Sequence, residues 1–226
     1  TRQSILSGRG LVHIEVTAEK ILRKFNVGMD IETPKVAYRE TFKKKIRVQG
    51  KHKKQSGGHG QYGDCWIVLE PLPKSSGFEF VDKIVGGVIP KNYIPAVEAG
   101  VREASKSGIL AGFPCVDFRV TVDFGSYHSV DSSEMAFKMA GSIAFKKAAV
   151  DAKAVLLEPV MKIAVKVPDD STGDIMGDLN SRRGRVIGMD SEDDKQIINA
   201  LVPMAEILRY APDLSSMTGG RGAFTM

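Results

Sequence analysis

The sequence is poor in cysteine and aromatic residues, has no long apolar run and contains no phosphate-binding loop. Cys65 and Cys115 are its only cysteines, each inside an apolar strand-like run with no second ligand at metal spacing. That excludes a disulfide scaffold and a zinc-ribbon site, and it leaves buried free thiols in a reducing compartment. No stretch of eighteen or more apolar residues occurs, which excludes a membrane-spanning helix. No Gly-Lys-Ser or Gly-Lys-Thr follows any glycine-rich stretch, so nucleotide hydrolysis through a P-loop is excluded as well. Thr1, Arg2, Gln3 and Ser4 carry neither an initiating Met nor a signal-peptide pattern, and the start reads as cut.

What is present is the balance of an ordinary globular chain: 226 residues, 42% hydrophobic and 26% charged, enough for two or three compact units. The formal net charge of +5 is small, and its distribution says more than its size. Between Thr41 and Gly63 there is no Asp or Glu, while Lys43, Lys44, Lys45, Arg47, Lys51, Lys53 and Lys54 crowd the same stretch. A solvated face and a surface that tracks phosphates both fit such a run.

Periodicity predicts an α+β protein. In the first segment Val12, Ile14 and Val16 alternate as a strand, and Ala18, Ile21, Leu22 and Phe25 follow at helical spacing with Thr17 as N-cap. This strand-helix-strand segment is too short to bury a core alone. In the second, strands are expected at Cys65 to Glu70 and Phe78 to Asp82. A third strand carries Val116, Phe118, Val120, Val122 and Phe124 on one face and Asp117, Arg119, Thr121 and Asp123 on the other. A helix near Tyr93 to Ser107 buries Ile94, Val97, Val101 and Ala104 and ends at Gly108. Another, near Ser132 to Val150, opens with Asp131 and Glu134 at capping-box spacing and buries Met135, Met139, Ile143 and Ala136. The last segment reads strand, helix, strand, strand, helix, strand, the split ferredoxin-like order, with Ile175, Met176 and Leu179 inward and Gly184 as the helix stop.

Three stretches could carry function. Lys54, Gln55, Ser56, Gly57, Gly58, His59, Gly60, Gln61, Tyr62 and Gly63 form a glycine-rich loop flanked by lysines and closed by an aromatic, suited to close approach to a sugar-phosphate surface or to a plain hairpin tip. Gly125, Ser126, Tyr127, His128, Ser129, Val130 and Asp131 join a strand to a helix and expose His128. Serine, histidine and aspartate packed into one turn lack the geometry of a triad, and no Gly-X-Ser-X-Gly elbow occurs, so no catalytic residue and no metal ligand is assigned. Arg182, Arg183 and Arg185 follow a helix, where they complement the helix dipole or touch RNA.

The runs Lys54 to Gly63 and Gly125 to Glu134 resemble domain IV of elongation factor G. Phe80 to Pro90, Tyr93 to Ala99, Leu110 to Pro114, Leu156 to Met161 and Gly177 to Gly188 extend the resemblance along the whole chain. It implies that residues 1–34 are the C-terminal half of a ferredoxin-like domain III. Residues 35–156 would be domain IV, with a left-handed strand-helix-strand crossover as in a ribosomal protein, and 157–226 a ferredoxin-like domain V trimmed at its end. It further implies partners: the ribosome with its RNA and proteins, transfer RNA and messenger RNA, and no membrane. Residues 55–63 with Tyr127, His128 and Asp131 would enter the decoding region, Gln55 and His128 touching the codon-anticodon helix. Arg182, Arg183 and Arg185 are candidate contacts to large-subunit RNA. GTP and magnesium would bind in a separate N-terminal domain of the parent, and this chain would be a monomeric, cytoplasmic, non-catalytic coupling part of bacterial or organellar origin.

Two departures stand out. Arg9 and Leu11 with Val12 replace a methionine and an acidic residue, and His59 replaces a common arginine, keeping hydrogen bonding but weakening charge at neutral pH. A paralogue acting in ribosome recycling or protection is therefore the alternative. A hydrolase using His128 and Asp131 would need activity without ribosomes, and a free-standing RNA-binding module is opposed by the incomplete first segment.

Overall fold

The computed structural model describes residues 4, 6, 8, 11–55, 57, 58 and 60–226, with only the backbone of Leu11 and Val12. Ser56, His59 and Arg9 lie outside the described residues. The chain divides into two compact units, one of residues 37–157 and one of residues 1–36 with 158–226.

In the second of these, helix α1 spans Leu11–Phe25, so Val12, Ile14 and Val16 are helical and not a strand. Three alternating residues fit either period. The longer pattern decides, because Ile14, Thr17, Ala18 and Ile21 are half-buried at helical spacing while Val16 and Leu22 are exposed. Thr17 sits inside the helix, its hydroxyl donating 2.6 Å to the His13 carbonyl, and is not a cap.

The unit of residues 37–157 starts with strand β1, Arg39–Phe42, which pairs antiparallel with β6, Ala154–Leu157. Between them lie β2, Ile46–Lys54, β3, Gln61–Pro71, β4, Phe78–Asp82, helix α2, Ile94–Lys106, β5, Phe118–Ser126, and helix α3, Glu134–Asp151. The sheet order is β2-β3-β5-β4, antiparallel except for the parallel β4–β5 pair that α2 bridges. Both helices cover one face. There Ile67, Leu69, Val120, Val122 and Phe118 pack against Val97, Val101 and the α3 stripe, with Phe42, Phe118 and Phe145 in mutual edge and tilted contact.

Two apolar expectations fail here for identifiable reasons. The ladder gives β5 one extra residue at Asp123, since Trp66 opposes Phe124 but Ile67 opposes Val122. That bulge flips Phe124 to the open face, where it is 50% exposed, and turns Gly125 inward; Val116 precedes the strand, and Asp117 takes a positive φ of 58°. On α3, Met135 and Met139 are 61% and 42% exposed and Ile143 is only half-buried, because the inward stripe is Ala136, Phe137, Ala140, Gly141, Ala144, Phe145, Ala148 and Ala149. Small residues win because the helix lies on the sheet at very close range. A Cβ on Gly50 would stand 2.1 Å from the Ala140 carbonyl oxygen and 2.6 Å from the Ala144 nitrogen.

The segment before β5 is held by a buried carboxylate. Glu40 is fully buried, and its oxygens accept from the backbone N–H groups of Ile109 at 2.7 Å, Leu110 at 2.9 Å, Ala111 at 2.8 Å and Phe113 at 3.1 Å. Burial raises the Glu40 pKa, but the four backbone donors together outweigh it and hold the group below its ordinary 4.5. Cys115 packs beside it. Burial pushes the Cys65 and Cys115 thiols up to about 12, so both free thiols stay protonated and inert.

Residues 158–226 continue with β7, Val160–Pro168, α4, Thr172–Ser181, β8, Arg185–Glu192, β9, Lys195–Pro203, the short α5, Met204–Ile207, α6, Tyr210–Met217, and β10, Ala223–Thr225. The antiparallel sheet order β10-β7-β9-β8 is the ferredoxin-like arrangement. Ile163, Val165 and Val167 meet Ile175, Leu179, Ile198 and Leu214 in its core. Helix α4 ends in a Schellman turn. Gly184 N–H donates to the Leu179 carbonyl at 2.9 Å and Arg183 N–H to that of Asn180 at 3.1 Å, so Arg183 with φ 59°, not Gly184, takes the left-handed position. Gly177, part-way along α4, has nothing within 4 Å of a built Cβ. Gly177→Ala is therefore expected to stabilise this unit by about 0.5–1 kcal/mol, read as a higher calorimetric unfolding midpoint.

Candidate nucleic-acid interface

The β2–β3 hairpin and the β5–α3 connection meet at one end of the unit of residues 37–157. The hairpin register runs from Ile46 opposite Leu69 to Lys54 opposite Gln61, leaving residues 55–60 as its loop. Gly57 and Gly58 have φ of 61° and 87°, which L side chains resist, so the loop needs glycine to turn.

Backbone and side-chain bonds stitch the two loops together. Tyr62 N–H donates to the Asp131 carbonyl at 2.8 Å, Gly60 N–H to Asp131 Oδ1 at 3.0 Å, and the Ser132 hydroxyl to the Tyr62 carbonyl at 2.9 Å. Asp131 thus joins the loops instead of capping α3. The cap is Ser133, whose Oγ accepts from Ala136 N–H at 3.2 Å.

Beneath the tip runs a chain of polar groups that spacing in the sequence does not reveal. Tyr62 OH meets Ser126 Oγ at 2.7 Å, Ser126 Oγ donates to Asp64 Oδ2 at 2.8 Å, and Gln49 Nε2 donates to Asp64 Oδ1 at 2.8 Å. Asp64 is only 6% exposed, and each of its carboxyl oxygens is met by one of these donors. Period two alone could have put Tyr62 and Asp64 on one face; nothing in the sequence joins them to Ser126.

The expected site residues fall into separate groups. Gln55, Gly57, Gly58, Gln61, Tyr127 and His128 are exposed, and Gly60, Tyr62 and Asp131 are half-buried in the seam. Gly63 is buried beneath α3, where a Cβ would stand 2.4 Å from the Ala136 carbonyl oxygen, so its contribution is packing. The basic run divides as well. Lys45 pairs with Glu70 at 2.9 Å, and Arg47 pairs with Asp123 at 2.8 Å while stacking over Trp66. Lys51 lies 5.5 Å over the Tyr62 ring, and Lys43, Lys44, Lys53 and Lys54 have no acidic partner among the described residues. The field that remains uncompensated is concentrated towards the tip and at the β1–β2 turn.

In the other unit the arginines are already engaged. Arg182 Nε donates to Asp178 at 2.8 Å, its other nitrogens reach Asp213 and the Glu206 carbonyl, and the group stacks 5.0 Å from the Tyr210 ring. It is an internal brace, not the free contact its position in the sequence suggests. Arg183 bonds Glu158 and Glu206, the first cause of its raised pKa being the Glu158 hydrogen bond. Arg185 is exposed and has no ion partner among the described residues.

The fold and site together define an α+β chain in which a four-stranded sheet with a parallel crossover carries a glycine-rich stitched tip and is followed by a ferredoxin-like unit. Residues 34–153 match the family model described as Elongation factor G, domain IV, and residues 155–226 match that of the Elongation factor G C-terminus. The chain belongs to the elongation factor G family. A crystal structure of a protein from Thermus thermophilus is similar at 48% identity and a TM-score of 0.81, covering 96% of this chain. This chain spans 32% of that protein's length. Among the described residues no helix is long and apolar enough to cross a membrane.

Proposed function

We propose that the chain is the ribosome-contacting portion of an elongation factor G that promotes GTP-dependent translocation of transfer and messenger RNA. The observation that carries this reading is the stitched tip with its uncompensated lysines: two loops held as one body, bearing exposed His128 and Gln55, next to Lys51, Lys53 and Lys54. A rigid donor-bearing tip recognises the sugar edges and phosphates of a short RNA duplex by shape, without reading sequence, as movement along any codon requires. The tip would enter the small-subunit decoding region in the cytoplasm. Residues 1–34 would complete a domain III supplied by the longer protein, whose separate N-terminal domain would bind GTP and magnesium and hydrolyse the nucleotide. For large-subunit RNA the free side chain is Arg185.

Toeprinting on ribosomes with the full-length factor tests this. His128→Ala is expected to slow the one-codon shift roughly tenfold, the rate equivalent of about 1.4 kcal/mol from one lost hydrogen bond, with ribosome-stimulated GTP hydrolysis nearly intact. Equal loss of both activities would sink the reading. No shift with the wild-type factor would assign it to a recycling or protection paralogue.

A further inference from the structure

His128 is 55% exposed in its side chain, yet one of its ring nitrogens is fully committed. Nδ1 lies 3.3 Å from the backbone nitrogen of Val130 and 3.1 Å from that of Asp131, and both N–H groups point at it. A second pair of bonds locks the same turn: His128 N–H donates to Ser132 Oγ at 2.9 Å, and Ser132 N–H donates to the His128 carbonyl at 3.1 Å. A nitrogen that accepts two N–H bonds carries no proton, and a neutral imidazole with bare Nδ1 carries its proton on Nε2. Asp131 Oδ2 stands 3.5 Å from Nδ1 and would suit a protonated ring. In the neutral ring, a proton placed on Nδ1 instead of Nε2 would face the two backbone N–H groups already directed at that nitrogen.

The same inward turning recurs around His128. Asp131 Oδ1 is taken by Gly60, both Asp64 oxygens by Gln49 and Ser126, and Gln61 Oε1 lies 2.9 Å from His52 Nε2. The Tyr62 hydroxyl is bonded to Ser126, so towards His128 that residue offers only its ring, centred 6.4 Å away. Lys51, Lys53 and Lys54 add ammonium donors beside the free edge of His128, whereas Asp131 Oδ1, both Asp64 oxygens and Gln61 Oε1 are engaged within the fold.

We infer that the loop 127–132 fixes His128 as the Nε2–H tautomer, so that it acts as a hydrogen-bond donor to an acceptor oxygen of an RNA sugar-phosphate backbone. This rests on the RNA-facing reading above and specifies its polarity. Phosphate and 2′-hydroxyl oxygens share the required chemistry; a partner offering donors, such as a lysine-rich protein segment, is disfavoured at the same point.

Two measurements test it. Long-range proton–nitrogen NMR of the 226-residue chain, above the imidazole pKa, is expected to show His128 with Nε2 protonated and Nδ1 bare; the opposite tautomer or an equal mixture overturns the inference. In the full-length factor, Nτ-methylhistidine at position 128 keeps the Nδ1 acceptor and removes only the Nε2 proton. It is expected to slow translocation as far as His128→Ala does. A wild-type rate for the methylated ring, with His128→Ala impaired, overturns the donor role and leaves the translocation reading standing. A wild-type rate for His128→Ala overturns both.

Discussion

Replacing Glu40 by alanine is expected to destabilise the unit of residues 37–157 by about 3–5 kcal/mol, the range for removing one partner from a buried charged interaction. The reason is the number of groups left behind. Four backbone N–H groups of residues 109–113 converge on one fully buried carboxylate, and its removal strands all four donors at once. Glu40→Gln keeps the shape but turns an amide N–H towards at least one of these donors, so it should recover only part of the loss. Urea unfolding of the three proteins measures it, and an alanine cost below about 1 kcal/mol would mean that water replaces the carboxylate freely. The acid limb follows in sign. Because the folded pKa lies below the ordinary 4.5, the stabilisation is complete above that value and is lost as pH falls through the lower folded value. Wild type should therefore lose this contribution on acidification and Glu40→Gln should have none to lose.

Gly50→Ala is expected to cost about 3 kcal/mol or more, at the upper end of overpacking penalties, because what a Cβ would strike is backbone. The Ala140 oxygen at 2.1 Å and the Ala144 nitrogen at 2.6 Å belong to the middle of α3, and neither can swing aside as the end of a long side chain would. The methyl would have to push the helix from the sheet, opening the core that Phe145 and the other buried α3 residues share with Cys65 and Ile67 of β3. Thermal unfolding followed by circular dichroism would show it, and a change within about 0.5 kcal/mol, as at an ordinary surface site, would contradict the close approach.

Much of the fold is legible in local pattern. Strand β4 lies at the expected Phe78 to Asp82, the α2 stripe of Ile94, Val97, Val101 and Ala104 is buried, and the βαββαβ order appears in the last segment. Pattern misleads where a second effect overrides the period. At Asp123 a bulge reverses the faces. On α3 the demand for small residues against Gly50 and Gly63 sends the methionines outward, although they are the more apolar choice. In α1 three alternating residues are too few to separate two periods.

The candidate site is legible as two loops but not as one body. Glycines, lysines and His128 mark the loops in the sequence. The bonds from Asp131 to Gly60 and from Ser126 to Asp64 span 71 and 62 residues, and no spacing rule connects positions so far apart. Arg182 is a mixed case: Asp178 lies four residues back, at helical pairing distance, but the Glu206 carbonyl and Asp213 that complete its enclosure lie 24 and 31 residues on.

The close seating of α3 has a mechanical meaning. Its 18 residues make a helix about 27 Å long, which starts at the stitched tip and ends beside β6. Where layers meet through long side chains, rotamer changes let them slide; where glycine lets backbone rest on backbone, there is little compliant filling to shear. A push on residues 55–60 therefore meets a stiff lever arm, and displacement at one end should reach the β1–β6 end with little lost to internal deformation.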